Sequence, residues 1–341
     1  MTVLALGRSR LWFNSFYRAA MAIPLLFYLV QGELPFPLAF MFFTGLSASY
    51  FYTSAVNYVS DVEEDSRKSR LGRDWDRLND PESPLVGREF QPGRLLAGIA
   101  AVYLALTGLA LLPLWPPGPG WWVFPLHMAV LLVAGTAYSL GPRLKESAAG
   151  FFLASMLYWY PPLAMATVPW PPSMPLAAYL LALGVIGLHE SVRHTLDHLK
   201  IDRGAGVRTL ASIMGPGPAR KTAMALGLLG HALLVLAGWL IHPALSLLAL
   251  YCLLGHILTE RPFWRTFTAA LFIWLAVAAH PSLRTDPWSY GLALLAGLPM
   301  FTSPAQGLEM FRDSILGPNR DFLLLLRHRV NGWLRTLRRQ A

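Results

Sequence analysis

Apolar runs of about 15 to 25 residues recur along this chain, at about 17–31, 34–59, 92–113, 122–140, 148–168, 174–196, 220–240 and 243–258. A helix that crosses a bilayer needs about 20 such residues. Backbone in lipid must satisfy its own hydrogen bonds, so only helices and closed barrels can span. The short alternating segments of a barrel are missing from the sequence, which leaves helices. Charged residues make up 14% of the chain, against about 25% in soluble domains. The sequence therefore specifies an all-α polytopic membrane protein. Two further runs, about 266–280 and 287–303, are short for a full span, so the expected bundle has nine or ten helices. Pro and Gly punctuate the connections at 115–120, 169–172, 242–243 and 280–282. The start lacks the pattern of a cleavable signal. Cys252 is the single cysteine, which excludes an internal disulfide.

Cations set the orientation, because loops rich in Lys and Arg stay in the cytoplasm. Arg8, Arg10 and Arg18 precede or open the first run. Arg67, Lys68, Arg70, Arg73, Arg77 and Arg88 follow the second, Arg143 and Lys145 the fourth, and Lys200, Arg203 and Arg208 the sixth. The connections at 115–120 and 169–173 carry no Lys or Arg. The N-terminus and the three polar loops are thus expected on the cytoplasmic side, and the bacterial inner (plasma) membrane is the expected location. The tail, residues 306–341, is set apart from a membrane domain at 1–305. Its stretch 322–339 reads as an interfacial helix with basic anchors suited to anionic lipid. No nucleic-acid partner is expected.

The stretch Asn57 to Pro84 is the chain's densest mixture of acidic and basic side chains, and it follows an apolar run directly. Asn57, Asp61 and Asp65 are spaced i, i+4, i+8, and each four-residue step on a helix turns about 400°, so the three share a face. Carboxylates placed in this way suit a hard cation such as Mg²⁺, which prefers oxygen ligands and often holds substrate phosphates. An ordinary solvated loop would carry similar charges. A second acidic region spans Gly187 to Pro216. There Glu190, His194 and Asp197 are spaced i, i+4, i+7, and Asp202 precedes Gly204 and Gly206. Ionisable groups at membrane depth need a partner or a cavity; a self-satisfied Glu–His pair is the alternative. A third region, Ala137 to Gly150, brings Arg143 and Lys145 to the same face. Two acidic sites with interleaved cations describe a diphosphate cradle, with metals bridging carboxylates to phosphate oxygens.

With these motifs in order, the chain resembles the UbiA-type superfamily of intramembrane prenyltransferases. Asn57, Asp61 and Asp65 match the first half of that family's first signature, and Asp76, Asn79, Pro81, Pro84 and Gly87 the second half. Tyr138, Ser139, Pro142, Arg143, Leu144 and Lys145 match its tyrosine–serine, proline, Arg-Leu-Lys segment. Asp202, Arg203, Gly206, Thr209 and Leu210 match the end of its second aspartate-rich loop. The resemblance covers roughly residues 15–300. There are departures. Tyr58 stands where the family usually has an Asp, and Ser66 to Asp76 separate the two halves of the first motif. Ser83 replaces an Arg, His194 an Asn or Asp, and His198 an Asp.

The resemblance implies a bundle around a central cavity under a cytoplasmic polar cap. It implies an Mg²⁺-dependent transferase that moves an isoprenyl group from its diphosphate to a lipophilic acceptor, with an aromatic one favoured. Asp61, Asp65, Asp197 and Asp202 would hold metal. The same four, with His194 and Glu190, would form the catalytic set. Asn57, Arg73, Arg77, Asn79, Tyr138, Arg143, Lys145, Arg18 and Arg203 would bind substrate, and Arg73 or Arg77 would stand in for the missing Arg at Ser83. Tyr50, Phe51, Tyr52, Tyr158, Trp159 and Tyr160 are candidates to line the prenyl tail. Two other readings stay open: a terpene cyclase of the same fold, and a transporter that keeps the bundle without catalysis.

Overall fold

A computed structural model describes residues 36–69, 85–112, 122–165, 174–260, 263, 267 and 316–340. The expected runs at 17–31 and 287–303, and 266–280 apart from Phe267, lie outside the described residues, and with them the choice between nine and ten spans. The described elements are all helical. They are α1 (Phe36–Ser60), α2 (Val62–Ser69), α3 (Pro92–Leu111), α4 (Val123–Ser139), α5 (Ala148–Met165), α6 (Met174–Asp197), α7 (Leu199–Gly204), α8 (Leu210–Met214), α9 (Pro216–Ile241), α10 (Pro243–Thr259) and α11 (Gly317–Gln340). A short 3₁₀ turn, Leu144–Glu146, lies between α4 and α5.

Local chemistry sets the helix starts. Pro92, Pro216 and Pro243 occupy first-turn positions, where the missing N–H would have had no intrahelical partner and φ is already helical. His242 adds a cap, its Nδ1 accepting from the Ala244 N–H at 3.2 Å.

Packing follows chain order. The first helix α1 packs on α3 and α4, α4 on α5, α5 on α6, α6 on α9, α9 on α10, and α10 on α11. The buried side chains form two main clusters, one across α1, α3 and α4 and the other across α6, α9 and α10. Small residues let the helices approach. A Cβ on Gly135 would stand 2.5 Å from Thr53 Cγ2, and one on Gly230 would stand 2.5 Å from Ile186 Cγ1. Close backbone contact replaces the hydrophobic drive that lipid cannot supply between helices. Buried imidazoles join α6, α9 and α10. The His231 and His256 rings stack at 4.6 Å, and His189 meets His256 edge-on at 4.9 Å.

The outside of the bundle is apolar. Leu104, Val133, Leu153, Leu229, Trp239 and Leu247 are each more than half exposed. In water such a surface would be a liability; in a bilayer it is the solvent-matched face. Among the described residues, Pro92–Leu111 and Pro216–Ile241 are long and apolar enough to cross a membrane.

One end of the bundle carries the polar groups. Asp61 interrupts the chain between α1 and α2, His198 between α6 and α7, and the 140–147 turn joins α4 to α5. This turn bends sharply: Gly141 has φ +64° and Arg143 φ +46°. A left-handed non-Gly residue costs about 1 kcal/mol or more, so the surrounding ion pairs hold Arg143 in place.

Candidate active site

A cavity of about 420 Å³ opens at this polar end, lined by α1, α2, α4, the 140–147 turn, α5, α6, α7 and the strand-like stretch before α8. From the first half it receives Asn57, Asp61, Glu64, Asp65 and Lys68. From the second half it receives His194, Thr195, His198 and Asp202, and Tyr138 and Lys145 come from between. Residues more than a hundred positions apart in sequence therefore line one cavity.

Each position has a local cause. Asp61, Glu64, Asp65 and Lys68 are spaced i, i+3, i+4, i+7, and the backbone keeps the helical bonds Asp61 N to Asn57 O and Asp65 N to Asp61 O across the short break. One face of α2 thus continues the face of α1. Asn57 is fixed by Ser139, whose hydroxyl donates to Asn57 Oδ1 at 2.8 Å. On the opposite wall, Asp202 is 1% exposed on the short α7.

Ion pairs knit the site. Lys145 pairs with Asp61 and lies 3.7 Å from Glu64. Arg143 pairs with Glu64 and Glu146 and lies 3.9 Å from Asp61. Across the cavity, Lys68 Nζ lies 2.8 Å from Asp202 Oδ1, so the two acidic regions meet through a lysine. Burial opposes the Lys68 charge, but attraction to Asp202, with Asp65 and Glu64 behind it, outweighs burial and holds the ammonium above its usual pKa. Burial likewise opposes the Arg143 charge, and the Glu64 carboxylate reverses the effect.

Several expected site residues stand elsewhere. Asp197 is half exposed and lies 3.7 Å from Arg193 on its own helix. Neither Asp197 nor Glu190 lines the cavity, and Arg203 is exposed outside it. Ser191, His194 and Thr195 of α6, with His198 just past its end, face the cavity, a register offset that leaves Glu190, Arg193 and Asp197 on the neighbouring face. Past the end of α6 at Asp197, the short α7 carries Asp202 to the wall. Phe51 and Tyr52 pack in the α1–α3–α4 core rather than at the cavity, and the Tyr52 hydroxyl is 2.7 Å from that of Thr136. The aromatic lining is Tyr58 and Tyr138. Arg18, Arg73, Arg77 and Asn79, and the side chains of Tyr50, Tyr158, Trp159 and Tyr160, lie outside the described residues. Glu64, Lys68 and His198 are titratable cavity residues to which the sequence motifs assign no part in the site.

The family model for the UbiA prenyltransferase family matches residues 18–266. The chain belongs to the UbiA prenyltransferase family. Its apolar helices and lipid-matched exterior are those of an integral membrane protein. Two solved structures of a UbiA homolog from Archaeoglobus fulgidus are similar. The one bound to DMAPP and Mg²⁺ has a TM-score of 0.52 at 16% identity, covering 87% of this chain and 98% of that one. The one bound to GPP and Mg²⁺ has a TM-score of 0.49 at 16% identity, covering 85% and 96%. At that identity the first establishes a shared fold. No curated protein matches the sequence.

The donor set suits a hard divalent cation. Four carboxylates, Asp61, Glu64, Asp65 and Asp202, face two ammoniums, Lys68 and Lys145, in the cavity wall. The lining is therefore net acidic, and all its carboxylate ligands are oxygen. Among the described residues no three acidic, His or Cys groups already converge on a single point. Mg²⁺ is commonly held by one or two carboxylates together with substrate phosphates rather than by a full protein cage.

Proposed function

We propose that this chain is an Mg²⁺-dependent intramembrane prenyltransferase, moving an isoprenyl group from its diphosphate to a lipophilic, aromatic acceptor. The observation that carries this reading is the single cavity joining Asp61 and Asp65 to Asp202, with Lys68 and Lys145 between them. A net acidic wall repels a bare diphosphate. A divalent cation reverses that repulsion, so metal and substrate must bind together. The DMAPP and Mg²⁺ bound by the similar archaeal homolog are consistent with this pairing.

Asp61, Asp65 and Asp202 would hold the metal, which supplies charge neutralisation to the departing diphosphate. Lys145 and Lys68 orient the diphosphate, and Asn57, fixed by Ser139, contributes an amide. The small residues Ala134, Gly135 and Ala154 leave room beneath for the prenyl chain. As the C1–oxygen bond breaks, positive charge grows on the allylic carbon, which the faces of Tyr58 and Tyr138 stabilise. The acceptor's carbon bonds to C1, and the proton it loses passes to His198 or His194, whose rings lie 4.4 Å apart at the wall. The apolar surround keeps water from the cation. The polar end faces the cytoplasm by its cations, in the bacterial inner membrane.

Purified protein incubated with a panel of prenyl diphosphates, Mg²⁺ and extracted membrane lipids tests the reading, with mass spectrometry of the products. A lipid heavier by one prenyl unit supports transfer. A cyclised hydrocarbon with no acceptor adduct would replace it with the cyclase reading, and intact diphosphate throughout would remove catalysis.

A further inference from the structure

The C-terminal helix α11 is held to the bundle at one end. The Tyr251 hydroxyl donates to Asn319 Oδ1 at 2.6 Å. Phe322, 4% exposed, packs edge-on against Tyr251 and Phe263 at ring separations of 5.1 and 5.8 Å. Past Phe322 the burial stops. Leu323, Leu324, Leu325, Leu326 and Val330 are all between 41% and 56% exposed, and Arg327, His328 and Arg329 among them are exposed too. Five aliphatic side chains on a helix tethered at its start need an apolar medium.

The charge pattern identifies that medium. Over Gly317–Gln340 there are six arginines, at 320, 327, 329, 335, 338 and 339, and one acid, Asp321. Asp321 lies 3.3 Å from Arg320, and the arginines outnumber the acids of this helix six to one. That many cations exclude a span through the hydrocarbon. Apolar and cationic residues in one exposed segment match the boundary where acyl chains meet phosphates. The helix also departs from a lipid-facing surface: Leu247, Leu250, Leu254 and Ile257 on α10 are each at least 43% exposed, and α10 is the helix that carries Tyr251. We propose that α11 is an interfacial helix that binds anionic lipid headgroups beside α10, with Asn319 and Phe322 as its hinge point on the bundle.

The test uses the full-length protein. Cys252 is fully buried and is left in place, and a sample without the added cysteine reports any labelling of it. A nitroxide on Leu326→Cys is followed in vesicles of phosphatidylcholine alone and in vesicles with an equal part of phosphatidylglycerol. In the anionic vesicles the label should be reached by oxygen and shielded from an aqueous nickel chelate. The shielding should be lost in phosphatidylcholine alone, and lost in the anionic vesicles when Arg327→Gln, Arg329→Gln and Arg335→Gln are combined. Full nickel access in both membranes would overturn the proposal in favour of a solvated tail. Equal shielding in both, unaffected by the three Gln substitutions, would overturn the headgroup role. Shielding that appears only at high protein-to-lipid ratio would assign the surface to a second copy of the chain.

Discussion

Replacing Lys68 with Met isolates the contact that joins the two halves of the site. Methionine keeps most of the volume and removes the charge. At 2.8 Å and an effective dielectric of about 20, the gross attraction between Lys68 and Asp202 is about 6 kcal/mol. Desolvation offsets part of it, and deleting one partner of a buried pair costs about 3–5 kcal/mol. The Lys68 side chain keeps 13% exposure while Asp202 keeps 2%, so we expect the lower end, about 3 kcal/mol. Adding Asp202→Asn to Lys68→Met should recover most of that loss, because no buried charge is then left alone. The pH dependence has a definite sign. The folded pKa of Lys68 is raised above 10.5, so its contribution is complete below that value and fades only as pH climbs through the raised one. The difference between variant and parent should therefore stay constant from about pH 6 to 9. Denaturant unfolding in mixed micelles, run on the parent, both single variants and the double variant, gives the coupling directly. A Lys68→Met protein within about 0.5 kcal/mol of the parent, the range of ordinary surface substitutions, would refute the reasoning.

Other outcomes follow from single contacts. His198→Ala should slow single-turnover transfer while diphosphate binding survives, and His194→Ala should do so less, because His198 is 5% exposed at the wall and His194 faces solvent as well; equal rates for both variants and the parent would remove the imidazoles from proton transfer. Gly227→Ala should destabilise the α6–α9–α10 cluster by about 1–3 kcal/mol, since its Cβ would fall 2.1 Å from His256 Nε2, and an unchanged melting temperature would contradict that packing. The Glu260 carboxyl is held below its usual 4.5, chiefly by a hydrogen bond from Arg220. Its stabilising contribution is present above about pH 4.5 and disappears as pH falls further, so Glu260→Gln should lower the melting temperature at pH 7 and converge with the parent in more acid solution.

Much of this architecture is written in the sequence because lipid leaves the chain few options. Runs of apolar residues must become helices, and seven of the expected runs coincide with α1, α3, α4, α5, α6, α9 and α10. The face through Asn57, Asp61 and Asp65 is equally direct, since helical spacing alone aligns it. Lys68 was within reach of the same reasoning, at i+7 from Asp61 on that face. Its partner was not, because nothing in the spacing says that α7 folds back across the cavity. The second acidic ladder shows the limit from the other side. Spacing grouped Glu190 with His194 and Asp197, but the cavity side of α6 is set by packing on α5 and α9, and it selects Ser191, His194 and Thr195, with His198 just beyond the helix. An aromatic run such as Phe51–Tyr52 is as ready to fill a core as to line a cavity, and here the α1–α3–α4 core claims it.

The most direct test of the proposed activity is equilibrium binding of dimethylallyl diphosphate to the purified protein, measured in Mg²⁺ and again in EDTA, for the parent and for Asp61→Asn. The net acidic wall makes the cation a condition of binding. The account predicts saturable binding by the parent in Mg²⁺, its loss in EDTA, and a decrease of at least tenfold in Asp61→Asn, which corresponds to about 1.4 kcal/mol. Binding of equal strength in EDTA, or undiminished in Asp61→Asn, would contradict it.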